Sequence, residues 1–157
     1  MTDLEQRSQL ADLTFLHSTL EAAGIEAILV PRGEQAPLTT VLIPDVGELN
    51  GHPELPPLSV QLNFIELDES RGLKLLQFYA NVPLPEEEAE LAFAYKTKIM
   101  GEMTALGHFS IRDAGDLYYR YVHAIPLLRL PDENTFINLT ELILDSINRA
   151  YDIVAEN

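Results

Sequence analysis

The chain has 157 residues, 46% of them hydrophobic and 22% charged, which suits one soluble globular domain with a sizeable core. The absence of cysteine excludes disulfides and thiolate chemistry, and a net charge of −15 argues against nucleic acid or anionic lipid as partners, since both need clustered Lys and Arg. No apolar run approaches the roughly 20 residues of a membrane span. The start, Met1-Thr2-Asp3-Leu4-Glu5, lacks a signal-peptide layout, so a cytoplasmic protein is expected.

The first predicted element is a helix from Asp3 to Ala23. Leu10, Leu13, Leu16 and Leu20 recur at three- and four-residue steps on one face, and Phe15 widens the stripe. Thr2 or Asp3 can cap its start, and Gly24 suits the position just past its end. Strand candidates follow at Ile25–Val30 and Leu38–Ile43. Leu58–Leu67 alternates at Leu58, Val60, Leu62 and Phe64, then slips phase to Ile65 and Leu67, which predicts a bulge near Phe64. After a Glu69-Ser70-Arg71-Gly72 turn, Leu73–Val82 is apolar on both faces and reads as central or covered on both sides. Short turns between neighbours predict an antiparallel meander. The exception is Pro44–Pro57, a long loop with four prolines and two glycines. It is either a binding surface or a tolerated excursion.

A second helix starts at Pro85, with Glu86, Glu87, Glu88 and Glu90 at the positive end of its dipole. Its stripe is Leu91, Tyr95, Ile99, Met103 and Leu106, and Gly107 ends it. A hairpin follows: His108–Arg112, a turn at Asp113-Ala114-Gly115-Asp116, then Leu117–Ile125 with Leu117, Tyr119, Tyr121, His123 and Ile125 on one face. The last helix starts near Asn134, capped by Asp132 or Asn134. Its predicted core stripe is Phe136, Leu139, Ile143, Ile147, Ala150 and Val154. The predicted fold is α+β with an antiparallel sheet, in the order α-β-β-β-β-α-β-β-α, as a single domain over 1–157.

The chemistry-bearing residues do not assemble into a motif. His17, His52, His108 and His123 stand in no metal-ligand spacing. His123 reads as a satisfied, partly buried histidine, and His108 as capping or solvated. Glu86-Glu87-Glu88 point about 100° apart on a helix, so they form a solvated first turn and not a metal patch. Asp45, Glu48, Asn50 and Glu54 offer oxygen ligands but do not match a calcium loop. Neither a Gly-x-Ser-x-Gly nor a glycine-rich phosphate loop is present. Alternation separates Tyr119 and Tyr121 from Tyr118 and Arg120, giving a core pair and an exposed pair in preference to a nucleic-acid stacking platform. No catalytic, cofactor-binding or metal residue is nominated, and no cofactor is expected. The acidic excess is spread evenly: residues 1–78 hold 12 acidic against 4 basic groups, and residues 79–157 hold 13 against 6. Solubility is the plain reading, and attraction to a basic partner the sharper one.

The element order, together with Gly107-His108-Phe109-Ser110-Ile111, Gly115-Asp116-Leu117-Tyr118-Tyr119-Arg120 and Ile125-Pro126-Leu127, resembles the YbjN-like family of small bacterial proteins. Members resemble class I type III secretion chaperones in fold. The resemblance implies a non-enzymatic protein-interaction module, chaperone-like or regulatory, that binds another polypeptide and forms a homodimer. The alternatives are a structural subunit of a larger assembly, or a small-ligand binder or enzyme using a pocket between sheet and helices.

Overall fold

The computed structural model describes residues 3–34, 36–44, 58–67, 71–82, 92–101, 106–112 and 116–155. In chain order they form α1 (Asp3–Ala22), β1 (Ile28–Val30), β2 (Thr40–Ile43), β3 (Val60–Phe64), β4 (Leu73–Val82), α2 (Ala92–Gly101), β5 (His108–Ile111), β6 (Leu117–Pro126) and α3 (Glu133–Ala155). This is the predicted α+β order. The strands make one antiparallel sheet, β1-β2-β3-β4-β6-β5, in which β1 to β4 form the meander and β6 pairs with β4 along its whole length.

Period-two alternation assigns the faces. Leu76, Phe78, Ala80 and Val82 of β4 are buried, as are their cross-strand neighbours Leu62 and Phe64 of β3 and Leu117 and Tyr119 of β6. Onto this face come Leu13, Leu16 and Leu20 of α1, Tyr95 and Ile99 of α2, and Phe136, Ile143, Ile147 and Val154 of α3. The opposite face carries Leu75, Gln77, Tyr79, Tyr118, Arg120 and Val122, all half-buried by their neighbours in the sheet. β4 is therefore central, but among the described residues the helices cover one of its faces only.

Local chemistry explains the ends of the elements. Gly24 (φ 82°) closes α1 in a Schellman arrangement: Ile25 N donates to Leu20 O at 2.9 Å and Gly24 N to Glu21 O at 3.0 Å. Asp132 caps α3, its Oδ2 accepting from Thr135 N at 2.9 Å. These bonds to the ionised carboxylate, the backbone one foremost, hold the Asp132 carboxyl below its ordinary range.

Three predicted details are corrected. No bulge interrupts β3: its pairing runs in register to Phe64↔Leu76, and Ile65 N donates to Leu75 O at 2.9 Å on the next rung. The apparent phase slip reflects a strand that has ended, leaving Leu67 exposed. Leu10 is 38% exposed because it lies two residues before Asp12, about 200° round the helix from that inward-facing position. In α3, Thr140 takes the fully buried place while Leu139 is half-buried at its flank. The Thr140 hydroxyl can be buried because it donates to Phe136 O at 2.8 Å. The proline-rich loop beyond Pro44, the start of the second helix at Pro85–Leu91, Met103, and the Asp113-Ala114-Gly115 turn lie outside the described residues, as do His52, Asp45, Glu48, Asn50 and Glu54.

Candidate functional site

The most unusual polar feature of the core face is an ion pair. Asp12 sits on the buried side of α1, next to Leu13. Lys74 occupies the helix-facing phase of β4, two residues before Leu76. Lys74 Nζ donates to Asp12 Oδ2 at 2.7 Å, and the two side chains are only 13% and 12% exposed. The same ammonium donates to Arg129 O at 2.7 Å and lies 5.9 Å from the Phe64 ring centroid. One side chain thus ties together α1, β4 and the segment after β6. Leu127 N donating to Gly72 O at 2.9 Å adds a second tie between that segment and the start of β4.

Around this pair opens a cleft of about 390 Å³. Glu5 and Asp12 of α1 form one wall. Phe64 ends β3, Glu66 and Leu67 follow it, Leu73 and Lys74 start β4, and Leu127 completes the lining. The rim is apolar and open to solvent: Leu67, Leu73 and Leu127 are 41%, 40% and 43% exposed, and Leu128, next in the chain, is 96% exposed. The lining residues include three carboxylates, Glu5, Asp12 and Glu66, against one cation, Lys74. Glu66 also makes a half-exposed contact with Arg32 at 3.8 Å. Because Lys74 is committed to a carboxylate and a carbonyl, the arrangement anchors chain segments and offers an apolar rim.

The open face of the sheet carries a second cluster. Tyr79 and Tyr118 stack with centroids 5.6 Å apart, and the Arg112 guanidinium lies 5.1 and 5.3 Å from the two rings. Arg120 Nε donates to Gln77 Oε1 at 2.6 Å, and Gln77 Nε2 to Asn63 Oδ1 at 3.4 Å. The two faces divide as expected, with Tyr119 fully buried and Tyr121 partly so, but Tyr118 and Arg120 on the opposite face are half-buried and not exposed. These arginines are engaged with neighbouring rings and amides. A further groove, of about 430 Å³, runs between α1 and α3 beside Phe15 and Ile137.

The three described histidines stay apart. His17 Nε2 lies 2.9 Å from Ala27 O, and His108 is exposed at the start of β5. His123 is the partly buried histidine expected, its Nδ1 3.2 Å from the Tyr121 hydroxyl. Burial lowers its pKa below the ordinary 6.5. The unfolded chain therefore takes up this proton more readily, and stability should fall as pH drops from about 6.5 toward the lowered folded value, then level off. Urea midpoints measured across that window should fall less in His123→Gln than in the native chain; parallel curves would remove His123 as the cause. Among the described residues no three His, Asp or Glu side chains form a metal-holding group.

The sequence nominated no site residues, and the cleft is assembled from segments that it kept apart. One signal was present. In β4 the alternation Lys74, Leu76, Phe78, Ala80, Val82 puts a lysine on the core face, and Asp12 interrupts the apolar side of α1. A charge in each core stripe calls for a partner.

The fold and cleft together define an α+β domain with a helix-covered antiparallel sheet and an apolar-rimmed groove at one end. No protein-family model matches the chain, and no curated protein matches it. Among solved structures it is similar to the crystal structure of YbjN, a proposed transcription regulator from E. coli, over 92% of this chain and 89% of that one, with a TM-score of 0.49 and 10% sequence identity. Among the described residues no helix is long and apolar enough to cross a membrane.

Proposed function

We propose that this chain is a non-enzymatic protein-interaction module, chaperone-like or regulatory, that docks another polypeptide at the cleft between α1, β4 and the segment after β6. Membership of the YbjN-like family, a single domain over 1–157, a cytoplasmic setting and a homodimeric state belong to the same proposal. The observation that carries it is the gathering of Leu67, Leu73 and Leu127, all exposed, around one groove with a polar floor, with the exposed Leu128 next in the chain. Contiguous apolar surface rimmed by polar groups is how proteins hold segments of a partner. The lining supports docking over turnover, because its cation is held in place by two acceptors.

The test is a comparison of the native chain with a Leu73→Ser, Leu127→Ser, Leu128→Ser variant. These side chains are exposed, so the variant should melt within a few degrees of the native chain. Pull-downs from extract of the native cell should show a polypeptide retained by the native chain and lost by the variant. Identical retention would remove the cleft as the docking site. Light scattering at physiological salt over a range of concentrations should give a dimer mass for both, since two-fold pairs are the commonest closed oligomers. A constant monomer mass would remove the homodimer.

A further inference from the structure

We infer that the homodimer forms through the open face of the sheet, a second copy of this chain packing its own open face against it. The inference rests on the homodimer reading above and names the surface that makes it. Two chains of net charge −15 repel, so they meet at least cost where each is least acidic. The outward side of α3 does not qualify, since it exposes Glu133, Glu141 and Asp145 against Arg149. The open face does. Cross-strand register sets Ile28, Leu42, Gln61, Tyr79, Arg120 and His108 in one row across all six strands. No residue of any strand is Asp or Glu, and the single strand lysine, Lys74, has the helix-facing phase. The charges on this face are instead the guanidiniums of Arg112 and Arg120, which would lie in the field of the other copy's acidic excess. Side-chain chemistry points the same way. A sheet face turned to water is ordinarily polar, yet Leu42, Leu75, Val122, Tyr79 and Tyr118 populate this one, and Ile28 is 46% exposed. Tyrosine and arginine, with Lys, Glu and Asp depleted, are the composition of interfaces. The stack of Tyr79 on Tyr118, with Arg112 against both rings, is ordered in the single chain, so little side-chain freedom is lost on pairing. Size fits as well. Six strands about 4.8 Å apart, of which β4 and β6 run about 33 Å, make a surface on the scale of the ~800 Å² that each partner buries in a standard interface.

The test is the dimerisation strength of the full chain, read by light scattering across concentrations at physiological salt. Gln61→Glu with Ala124→Glu places two carboxylates at exposed positions of the open face. That variant should keep the native urea midpoint and dimerise at least about tenfold more weakly, because like charges are brought face to face. Tyr79→Ala, which dismantles the stack, should weaken the dimer by a similar factor. Arg149→Glu, an exposed reversal on α3, makes the same change in net charge as the carboxylate pair and should alter dimerisation by less than about twofold. The chain has no cysteine, so single cysteines report the surface directly without disturbing its charge. Alkylation of Ala124→Cys should slow about tenfold between dilute monomer and concentrated dimer, and that of Glu141→Cys by less than about twofold. A dimer left intact by the open-face substitutions, with Ala124→Cys alkylated at one rate throughout, would overturn this surface and leave the homodimer reading standing. Weakening by Arg149→Glu as large as that by the carboxylate pair would assign the effect to net charge and overturn the inference. A constant monomer mass for the native chain would overturn the homodimer reading and the inference together.

Discussion

Replacing Lys74 with methionine is expected to lower the unfolding free energy by about 3–5 kcal/mol, the range for breaking a largely buried ion pair from one side. Methionine retains most of the lysine stem's volume, so the loss comes from what the ammonium leaves behind. Asp12, with a side chain 12% exposed, would lose its cation, and Arg129 O would lose its donor. Urea denaturation should show the fall as a lower midpoint at unchanged slope. The second arm is decisive. Adding Asp12→Leu to Lys74→Met removes the stranded carboxylate and should recover the native midpoint to within about 1 kcal/mol, because apolar replacement of such a pair is often neutral or better. A single substitution costing less than about 0.5 kcal/mol would mean that water reaches the pair freely. A double variant as unstable as the single would mean that Lys74 acts chiefly through Arg129.

Gly107→Ala should destabilise the fold by about 3 kcal/mol, from two independent causes. Gly107 has φ 73°, in the left-handed region that a side chain disfavours by roughly 1–2 kcal/mol. A Cβ there would also lie 2.6 Å from the Tyr119 hydroxyl and 2.6 Å from Arg120 O. Neither can step aside at low cost. Arg120 belongs to β6, which is paired on both sides, to β4 and to β5. Tyr119 is fully buried, and its hydroxyl donates to Leu106 O at 2.7 Å, one residue before the glycine. Burial, with a smaller contribution from Tyr121, holds that phenol protonated well beyond the ordinary tyrosine range. Thermal unfolding should show a fall of about 6–12 °C for a loss of this size. Tyr119→Phe, which removes only the hydrogen bond, should cost about 1 kcal/mol. A Gly107→Ala midpoint no lower than that of Tyr119→Phe would mean that the turn relaxes around the new methyl.

Local periodicity carried most of the fold. The β4 boundaries agree at both ends, since a ten-residue run, apolar on both faces, lies between the Arg71-Gly72 turn and Pro83. The α3 start agrees to a residue, because Asp132 is a capping side chain immediately ahead of an apolar stripe. Agreement fails where a residue's environment is set by a distant segment. Leu67 extends the hydrophobic run of β3, yet its rung of the sheet has no partner, so its apolar character describes the cleft rim and not the core. Thr140 looks like a solvent position until its own helix supplies an acceptor. The cleft was the hardest to read, since Asp12, Phe64, Lys74 and Leu127 meet only after the sheet is complete. Nothing in the spacing of one segment predicts that encounter. The charges at Asp12 and Lys74 mark each stripe as incomplete without saying which supplies the other.

The two halves of the sheet also differ in how they can assemble. β1 to β4 pair as successive neighbours. The β4–β6 ladder instead joins Val82 to Leu117 at one end and Leu73 to Pro126 at the other, so α2 and β5 lie inside the loop it closes. The entropy of closing that loop must be spent before the first of its rungs forms, whereas each meander hairpin closes a shorter one. Non-local pairings of this kind slow folding. Since Lys74 lies in that ladder, opposite Ile125, and the groove needs Leu127 just beyond it, the cleft is complete only once this pairing has formed. A nascent chain that has made only its meander would have a sheet but no cleft.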